Sequence, residues 1–413
     1  MNKQLGGVLL VAGTCIGGGM IALPLSLASL GLIPGFILMV LVWGVSYYSA
    51  LLNLELNLQA GQGLTLGALG KRFSGWGAQF LGETSLKSFS YVLLTFYLGA
   101  GASILKASWV ENSFLFDFSA VYALFAFLVF IAPPRMVDYL NRVLFMMMIA
   151  VIFLFIAVLL SLIQWNNLPL WPSSENLFKN GLFVLPVMFT SFGFQVIFHS
   201  LMEYCGKDSG MLKRVFFWGS LIPAIIYALW AIGALSVVYQ KDLSFYQALQ
   251  ERCADVGVLV QKLGKITGFK WTYQLVEWFS WLAITTSLVG VGLGLVDGFN
   301  AFFQDKIHHP FLRRVVCASL TVLPAYGMSV LLPAIVNILG LAGMILSFFA
   351  ILIPLYLLQK GAFKSLNYTI LNNKNLLYSM IFAGILIMTA EAMTLWIKQE
   401  GKRGLFAFNT RLA

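Results

Sequence analysis

The reading of this chain turns on residues 12–24, Ala-Gly-Thr-Cys-Ile-Gly-Gly-Gly-Met-Ile-Ala-Leu-Pro, set inside an apolar run from Leu5 to Leu30. Four of these thirteen residues are glycine: Gly13, Gly17, Gly18 and Gly19, the last three consecutive. Each glycine costs a helix about 1 kcal/mol relative to alanine. A helix in lipid cannot fray there, because freed N–H and C=O groups find no water. Irregular backbone at membrane depth survives only where it lines a cavity or is buried in protein. The sequence therefore predicts a broken helix, with Leu5 to Cys15 as one half and Met20 to Leu30 as the other. The second half aims its N-terminal N–H groups at the gap, where a carboxylate is favoured. The first half ends there with free carbonyls, which suit an ammonium group or a cation. Gly13 and Gly17 also form a small-xxx-small packing pair, but packing needs one such pair and not a run of three glycines.

Composition sets the class. Of 413 residues, 60% are hydrophobic and 10% charged, against about 25% charged in soluble domains. An all-α polytopic membrane protein in a lipid bilayer is expected. The net charge of +10 speaks first to topology. No basic stripe interleaved with aromatics is present, so nucleic acid is not an expected partner. Cys15, Cys205, Cys253 and Cys317 stand far apart without a C-x-x-C pattern, which signals neither a metal site nor a redox pair. No cofactor is expected. Lys3 alone precedes the apolar run, which reads as a retained span and not a signal peptide.

A span needs about 20 apolar residues. Eleven are expected, at residues 5–30, 34–55, 86–106, 118–132, 143–163, 182–203, 215–238, 273–299, 314–332, 335–358 and 376–397. Pro133-Pro134 ends the short fourth. With the N-terminus inside, short cytoplasmic segments carry fifteen Lys and Arg, and short external loops only Lys106 and Lys179. That asymmetry favours a cytoplasmic N-terminus and a periplasmic C-terminus. The four basic residues of the 398–413 tail (Lys398, Lys402, Arg403 and Arg411) pull mildly the other way. Two long connections interrupt the spans. Asn57 to Ser85 is glycine-rich and expected on the surface. Tyr239 to Thr272 has a helical pattern from Ser244 to Lys265, with Ser244 as its cap.

The sixth span carries a second interruption, Leu-Pro-Val-Met-Phe-Thr-Ser-Phe-Gly-Phe-Gln at 185–195. Pro186 loosens its first half, and Thr190, Ser191 and Gly193 interrupt its middle. If spans one to five repeat as six to ten, the two interruptions occupy corresponding positions. Paired breaks of this kind point to a transport site at the bilayer midplane. Residues 1–163 then form one repeat, 177–358 a second, and 376–397 an additional helix. The repeat is read from spacing, without residue-level identity between the halves.

Three motifs carry a resemblance: 13–24 (Gly-Thr-Cys-Ile-Gly-Gly-Gly-Met-Ile-Ala-Leu-Pro), 189–194 (Phe-Thr-Ser-Phe-Gly-Phe) and 283–297 (Ala-Ile-Thr-Thr-Ser-Leu-Val-Gly-Val-Gly-Leu-Gly-Leu-Val-Asp). In this order, and with Leu-Asn-Arg at 140–142 opening span five, the chain resembles the bacterial hydroxy and aromatic amino acid permeases, its tyrosine-specific members above all. The resemblance implies a LeuT-like inverted five-plus-five repeat plus an eleventh helix, with the first and sixth helices discontinuous. It also implies proton-driven uptake of an aromatic amino acid across the bacterial inner membrane.

On that reading the substrate carboxylate takes N–H groups of Gly17, Gly18 and Gly19. The ammonium takes carbonyls near Thr14 and Cys15 and near Thr190, Ser191 and Phe192. Phe192 and Phe194 are candidates to stack on the substrate ring, or are ordinary core. Gln195, Tyr97 or Ser287 can hydrogen-bond a phenol, and a site built to pair a hydroxyl discriminates strongly against its absence.

The coupling ion is less determined. His199 and Glu203 stand one turn apart on span six, and histidine is the side chain suited to carry a proton near neutral pH. Family members often have histidine directly after Ser-Phe-Gly-Phe, where this chain has Gln195. Sodium stays open: Thr285, Thr286 and Ser287 with the carbonyls of Gly13 and Ile16 form a set of hard oxygen ligands, though hydroxyls in membrane helices commonly satisfy backbone instead. Glu55, Glu277 and Asp297 read as interfacial, and Glu391 lies within span eleven. A membrane enzyme is disfavoured, since His308-His309 comes with no H-E-x-x-H or paired acidic motif. A non-transporting sensor is the other class, though no signalling domain is attached.

Overall fold

The computed structural model describes residues 3–60, 63–108, 117–172, 176–206, 208–251, 254–266, 268, 270–332, 335–361 and 368–412. Among these the chain is all-helical, as a lipid-embedded backbone must be to satisfy its own N–H and C=O groups. The first helices are α1 (Lys3–Cys15), α2 (Gly18–Leu27), α3 (Leu32–Ala60), α4 (Leu66–Ser74), α5 (Trp76–Ser108), α6 (Phe118–Ile131) and α7 (Pro134–Ser161). Then come α8 (Leu177–Ser191), a 3-10 turn (Phe194–Ile197), α9 (Phe198–Cys205), α10 (Ser209–Lys241), α11 (Leu243–Gln250) and α12 (Val256–Ile266). The last are α13 (Lys270–Phe303), α14 (Pro310–Leu331), α15 (Ile335–Ser347), a π-helical segment (Phe348–Leu352), α16 (Ile353–Lys360) and α17 (Lys374–Leu412).

Among the described residues nine helices are long and apolar enough to cross a membrane, and the bent pair α1 and α2 makes a tenth. The remaining expected span, the fourth at 118–132, falls on α6, whose 14 residues rise only about 21 Å. Several elements outrun their apolar cores. The third span begins at Trp76, so most of the surface connection expected at 57–85 is helix, with α4 lying between α3 and α5. Backbone helix also continues through the expected tail to Leu412. The single helix expected over 244–265 is two, α11 and α12. Asp242 and not Ser244 caps α11, accepting from Phe245 N–H at 3.0 Å while Ser244 donates to the same carboxylate at 2.7 Å. A carboxylate ahead of the first turn outcompetes a hydroxyl inside it. Cys253 lies outside the described residues.

Proline and caps mark the helix starts. Pro134 opens α7, and Asp208 caps α10 by accepting from Met211 N–H at 2.9 Å. His309 caps α14 through Nδ1, accepting from Leu312 N–H at 3.3 Å. Glu55 is fully buried in α3 and accepts from Gln59 Nε2 at 2.7 Å and from Tyr368 N–H at 3.2 Å. Glu391 is buried on α17 against Gly340 of α15.

The core lies between α5, α10, α13 and the two short helices α1 and α2. Every residue of α2 is buried. By contrast α7 turns Phe153 and Leu154 outward, as a lipid-facing helix does. Beyond α2 the chain is closed over. Leu32 N–H and Ile33 N–H donate to the carbonyls of Pro169 and Leu170 at 3.0 and 3.1 Å, and Asn180 Nδ2 donates to Ser29 O at 2.9 Å. Helices α11 and α12 pack on α2 from the same side.

Candidate functional site

Ile16 and Gly17 alone separate α1 from α2, and the two helix axes differ by 51°. The irregular stretch is thus shorter than the glycine run, since Gly18 and Gly19 already belong to the first turn of α2. Crowding explains the glycines. A β-carbon on Gly17 would collide with Ser287 Oγ, and one on Gly18 would fall 2.6 Å from Tyr97 Cε1 and 2.8 Å from Phe96 Cε1. One on Gly19 would fall 2.9 Å from Ser191 Oγ. Met20 N–H closes a turn onto Gly17 O at 3.0 Å, while the N–H groups of Gly17, Gly18 and Gly19 have no backbone acceptor among the described residues. These are the orphan donors of a helix start, where partial positive charge collects.

The second interruption lies alongside. Helix α8 ends at Ser191, Phe192 and Gly193 turn the chain, and the 3-10 turn leads into α9. Phe192 N–H and Gly193 N–H fold back onto the carbonyls of Phe189 and Thr190 at 3.1 and 2.9 Å. Thr190 Oγ1 lies 3.0 Å from Pro186 O and 2.9 Å from Leu339 O on α15, and Ser191 Oγ donates to Val187 O at 3.1 Å. Both hydroxyls therefore satisfy backbone.

The two interruptions border one cavity of about 1100 Å³. Thr14, Cys15, Gly18 and Gly19 line it from one side, Thr190, Ser191 and Gly193 from the other. Tyr97 on α5 and Ser287 on α13 line it as well. The cavity extends past Gly6 to the exposed residues Leu9, Lys87 and Arg142, so it opens on the side of the α1 N-terminus and ends at the buried α2.

Gln195 also borders the cavity and is buried. Its Nε2 donates to Ser49 Oγ at 2.9 Å and to Ser46 O at 3.3 Å, which leaves Oε1 as an acceptor without a partner among the described residues. His199, one turn on, lines the cavity too, and its Nδ1 is likewise buried without a partner among the described residues. Glu203 follows on α9, but its side chain lies outside the described residues.

Other expected contributors face elsewhere. Phe192 and Phe194 are fully buried and do not line the cavity. Phe192 packs edge-on against Tyr227 at 5.3 Å between ring centroids, and Phe194 stacks on Phe216 at 6.0 Å. Phe192, just past the end of α8, and Phe194, opening the 3-10 turn, both direct their rings to α10, and the cavity's aromatic walls include Phe89, Phe145 and Tyr97 instead. Thr285 also points away and pairs with Tyr122 Oη at 3.1 Å. Thr286 lines the cavity, yet its hydroxyl donates to Leu282 O at 2.8 Å. Gly13 does line the cavity, against Phe145, where a β-carbon would fall 2.8 Å from Cζ, whereas Ile16 and Gly17, the latter expected to meet the carboxylate, are buried outside the cavity wall because Ser287 packs against Gly17.

Residues that pattern reading missed include Asn53 and Asn57 on α3, which bring amide groups to the wall. They stand four apart with Ser49 on one helical face, a polar stripe that was visible in the sequence. Tyr227 and Trp230 on α10 were not visible as site residues. Tyr227 Oη reaches the carbonyl oxygens of Cys15 and Ser191 at 2.6 and 2.8 Å, and Trp230 Nε1 donates to Met20 O at 3.0 Å.

Comparison with known proteins agrees with this architecture. The tryptophan/tyrosine permease family profile matches residues 1–391. Tyrosine-specific transport system 1 of Haemophilus influenzae is 31% identical over 399 residues, covering 94% of this chain and 96% of that protein. A tryptophan-specific transport protein of the same organism is 26% identical over 401 residues, covering 94% and 95%. Glutamine transporter 2 of Aliivibrio fischeri is 26% identical over 358 residues, covering 86% and 88%. With a helical membrane architecture and a family match spanning nearly its whole length, the chain belongs to the tryptophan/tyrosine permease family and is a transporter, not an enzyme.

Proposed function

We propose that this protein imports an aromatic amino acid, tyrosine by preference, by proton symport and alternating access across the bacterial inner membrane. The observation that carries the proposal is that residues flanking both helix interruptions, Thr14, Cys15, Gly18 and Gly19 around the first and Thr190, Ser191 and Gly193 around the second, border one cavity. Orphan N–H groups at the start of α2 suit a carboxylate, and carbonyls ending α1 and α8 suit an ammonium group. A zwitterion fits that polarity. The proposed architecture is LeuT-like: residues 1–163 and 177–358 as inverted repeats, their first helices discontinuous, and 376–397 as an eleventh helix. With a cytoplasmic N-terminus and a periplasmic C-terminus, the cavity opens inward.

Selectivity for tyrosine rests on Gln195 Oε1, an acceptor that a phenol hydroxyl would satisfy and a phenylalanine ring would not. Tryptophan carries an indole N–H and is the natural competitor. His199 is the proposed proton carrier, because it lines the cavity and its buried Nδ1 has no partner among the described residues. Sodium coupling through Thr286, Ser287 and the Gly13 and Ile16 carbonyls is the second reading. It is disfavoured by Thr285 facing Tyr122 and by Thr286 donating to its own helix.

Counterflow tests the proposal. Proteoliposomes preloaded with tyrosine should exchange labelled tyrosine, with competition by tryptophan, weaker competition by phenylalanine, and none by glutamine. A pH gradient should drive net uptake without sodium. Absence of exchange would point to a sensor, and glutamine competition would overturn the aromatic reading.

A further inference from the structure

The two interruptions share a support outside the cavity. Tyr227 Oη lies 2.6 Å from the carbonyl oxygen of Cys15 and 2.8 Å from that of Ser191. Those residues end α1 and α8, so the negative ends of two helices meet at one hydroxyl. A phenol has a single proton and cannot satisfy both acceptors at once, while each carbonyl oxygen keeps a second lone pair. Cys15 and Ser191 border the cavity, whereas Tyr227 is fully buried and does not. The hydroxyl therefore reaches the carbonyl pair from behind. Its ring is held edge-on by Phe192, and Trp230, on the same helix, ties Met20 O from the far side of the first interruption.

Two carbonyl dipoles pointing at one place repel each other unless a positive group lies between them. The Tyr227 proton is that group when the cavity is empty, and it leaves the pair short of one donor. A primary ammonium, with three donors and a full charge, makes up the deficit. A neutral group cannot do so as well.

We propose that Tyr227 is a positioning residue whose shared proton keeps the Cys15 and Ser191 carbonyls convergent, forming an acceptor pair for the α-ammonium group of the substrate. This rests on the amino acid transport reading above and adds to it a residue that never touches the substrate. It also makes α10 the element that couples the two interruptions, so that a shift of one is felt by the other.

The test separates ammonium recognition from general structural support. Full-length Tyr227→Phe, which keeps the ring and deletes only the bridging proton, is reconstituted beside the wild type. Tyrosine counterflow is then inhibited with tyramine, which has the ammonium but no carboxylate, and with 3-(4-hydroxyphenyl)propionate, which has the carboxylate but no ammonium. The KM for tyrosine and the Ki for tyramine should both rise about tenfold, the scale of a weakened hydrogen bond to a charged group. The Ki for the propionate should not move. A uniform rise for all three ligands, or no rise, overturns the proposal. Phe192→Leu is the second variant, since it frees the Tyr227 ring without deleting its hydroxyl, and it should give the same selective pattern at smaller size. Failure of the transport reading itself would show as absent counterflow in the wild type, an outcome distinct from either result in the variants.

Discussion

Gly19 and Ser191 are in close contact: a β-carbon on Gly19 would fall 2.9 Å from Ser191 Oγ and 3.1 Å from its Cα. One belongs to the first turn of α2 and the other ends α8, so the two interrupted spans touch beside their interruptions. The glycine run thus does two things. It lets the backbone turn by 51° between α1 and α2, and it lets neighbouring helices approach the turn.

Gly18 carries the sharpest consequence. Its missing β-carbon is faced by the rings of Tyr97 and Phe96 at 2.6 and 2.8 Å. Rigid rings cannot yield as a flexible side-chain tip does. Gly18→Val is expected to reduce labelled tyrosine uptake to background while the protein still inserts at normal levels, as checked by membrane immunoblot. Unchanged uptake would remove the assignment of a carboxylate to the start of α2.

Gln195 predicts a change in selectivity without loss of transport. Its amide nitrogen is committed to Ser49 and Ser46, so Oε1 is left buried without a partner among the described residues. In Gln195→Leu the preference for tyrosine over phenylalanine should fall by about tenfold, because the discrimination rests on a buried polar group left unpaired by the wrong substrate. The ratio of KM values in competition assays reads this directly.

His199 separates driving force from binding. For His199→Asn, uptake driven by an imposed pH gradient should be lost and tyrosine counterflow kept, since exchange needs no net proton movement. Retained gradient-driven uptake would exclude His199 as the proton carrier.

Phe194 lies outside the site and should behave as core. It is fully buried and stacked on Phe216. Phe194→Ala should therefore lower stability by about 3–5 kcal/mol, seen as a lower melting temperature in detergent. Among molecules that remain folded, the ratio of tyrosine to tryptophan transport should not change.

Asp242 gives a pH dependence outside the membrane. Hydrogen bonds from Ser244, the Lys262 ammonium and Phe245 N–H hold its carboxyl down at about 2, below the ordinary value of about 3.9. A depressed carboxylate contributes stability that is fully present above the unfolded value and is lost as pH falls through the folded one. Amide-exchange protection of α11 should thus be constant above about pH 4 and decline toward pH 2. Asp242→Asn should remove that decline and weaken the Lys262 contact at all pH values.

Much of this protein was legible in its sequence because lipid leaves a chain few choices. Long apolar runs must be helices, and consecutive glycines within one must be a break. A second interruption at Thr190-Ser191-Phe192-Gly193 was read from its own proline, hydroxyl and glycine residues. The direction of individual side chains did not. Phe192 and Phe194 looked like substrate contacts because they flank the second interruption, yet the end of α8 and the 3-10 turn that follows set both rings against α10. Thr285 and Thr286 are adjacent, and only the packing of α6 against α13 decides that the first faces Tyr122 and the second the cavity.

The sequence by itself determined that this is a helical membrane protein with two weakened spans, since apolar length and glycine placement are local properties read along the chain. Only the tertiary structure decided what meets at those weak points. Tyr227 joins Cys15 and Ser191 across distant segments, and such a contact depends on how whole helices pack, which no local pattern encodes.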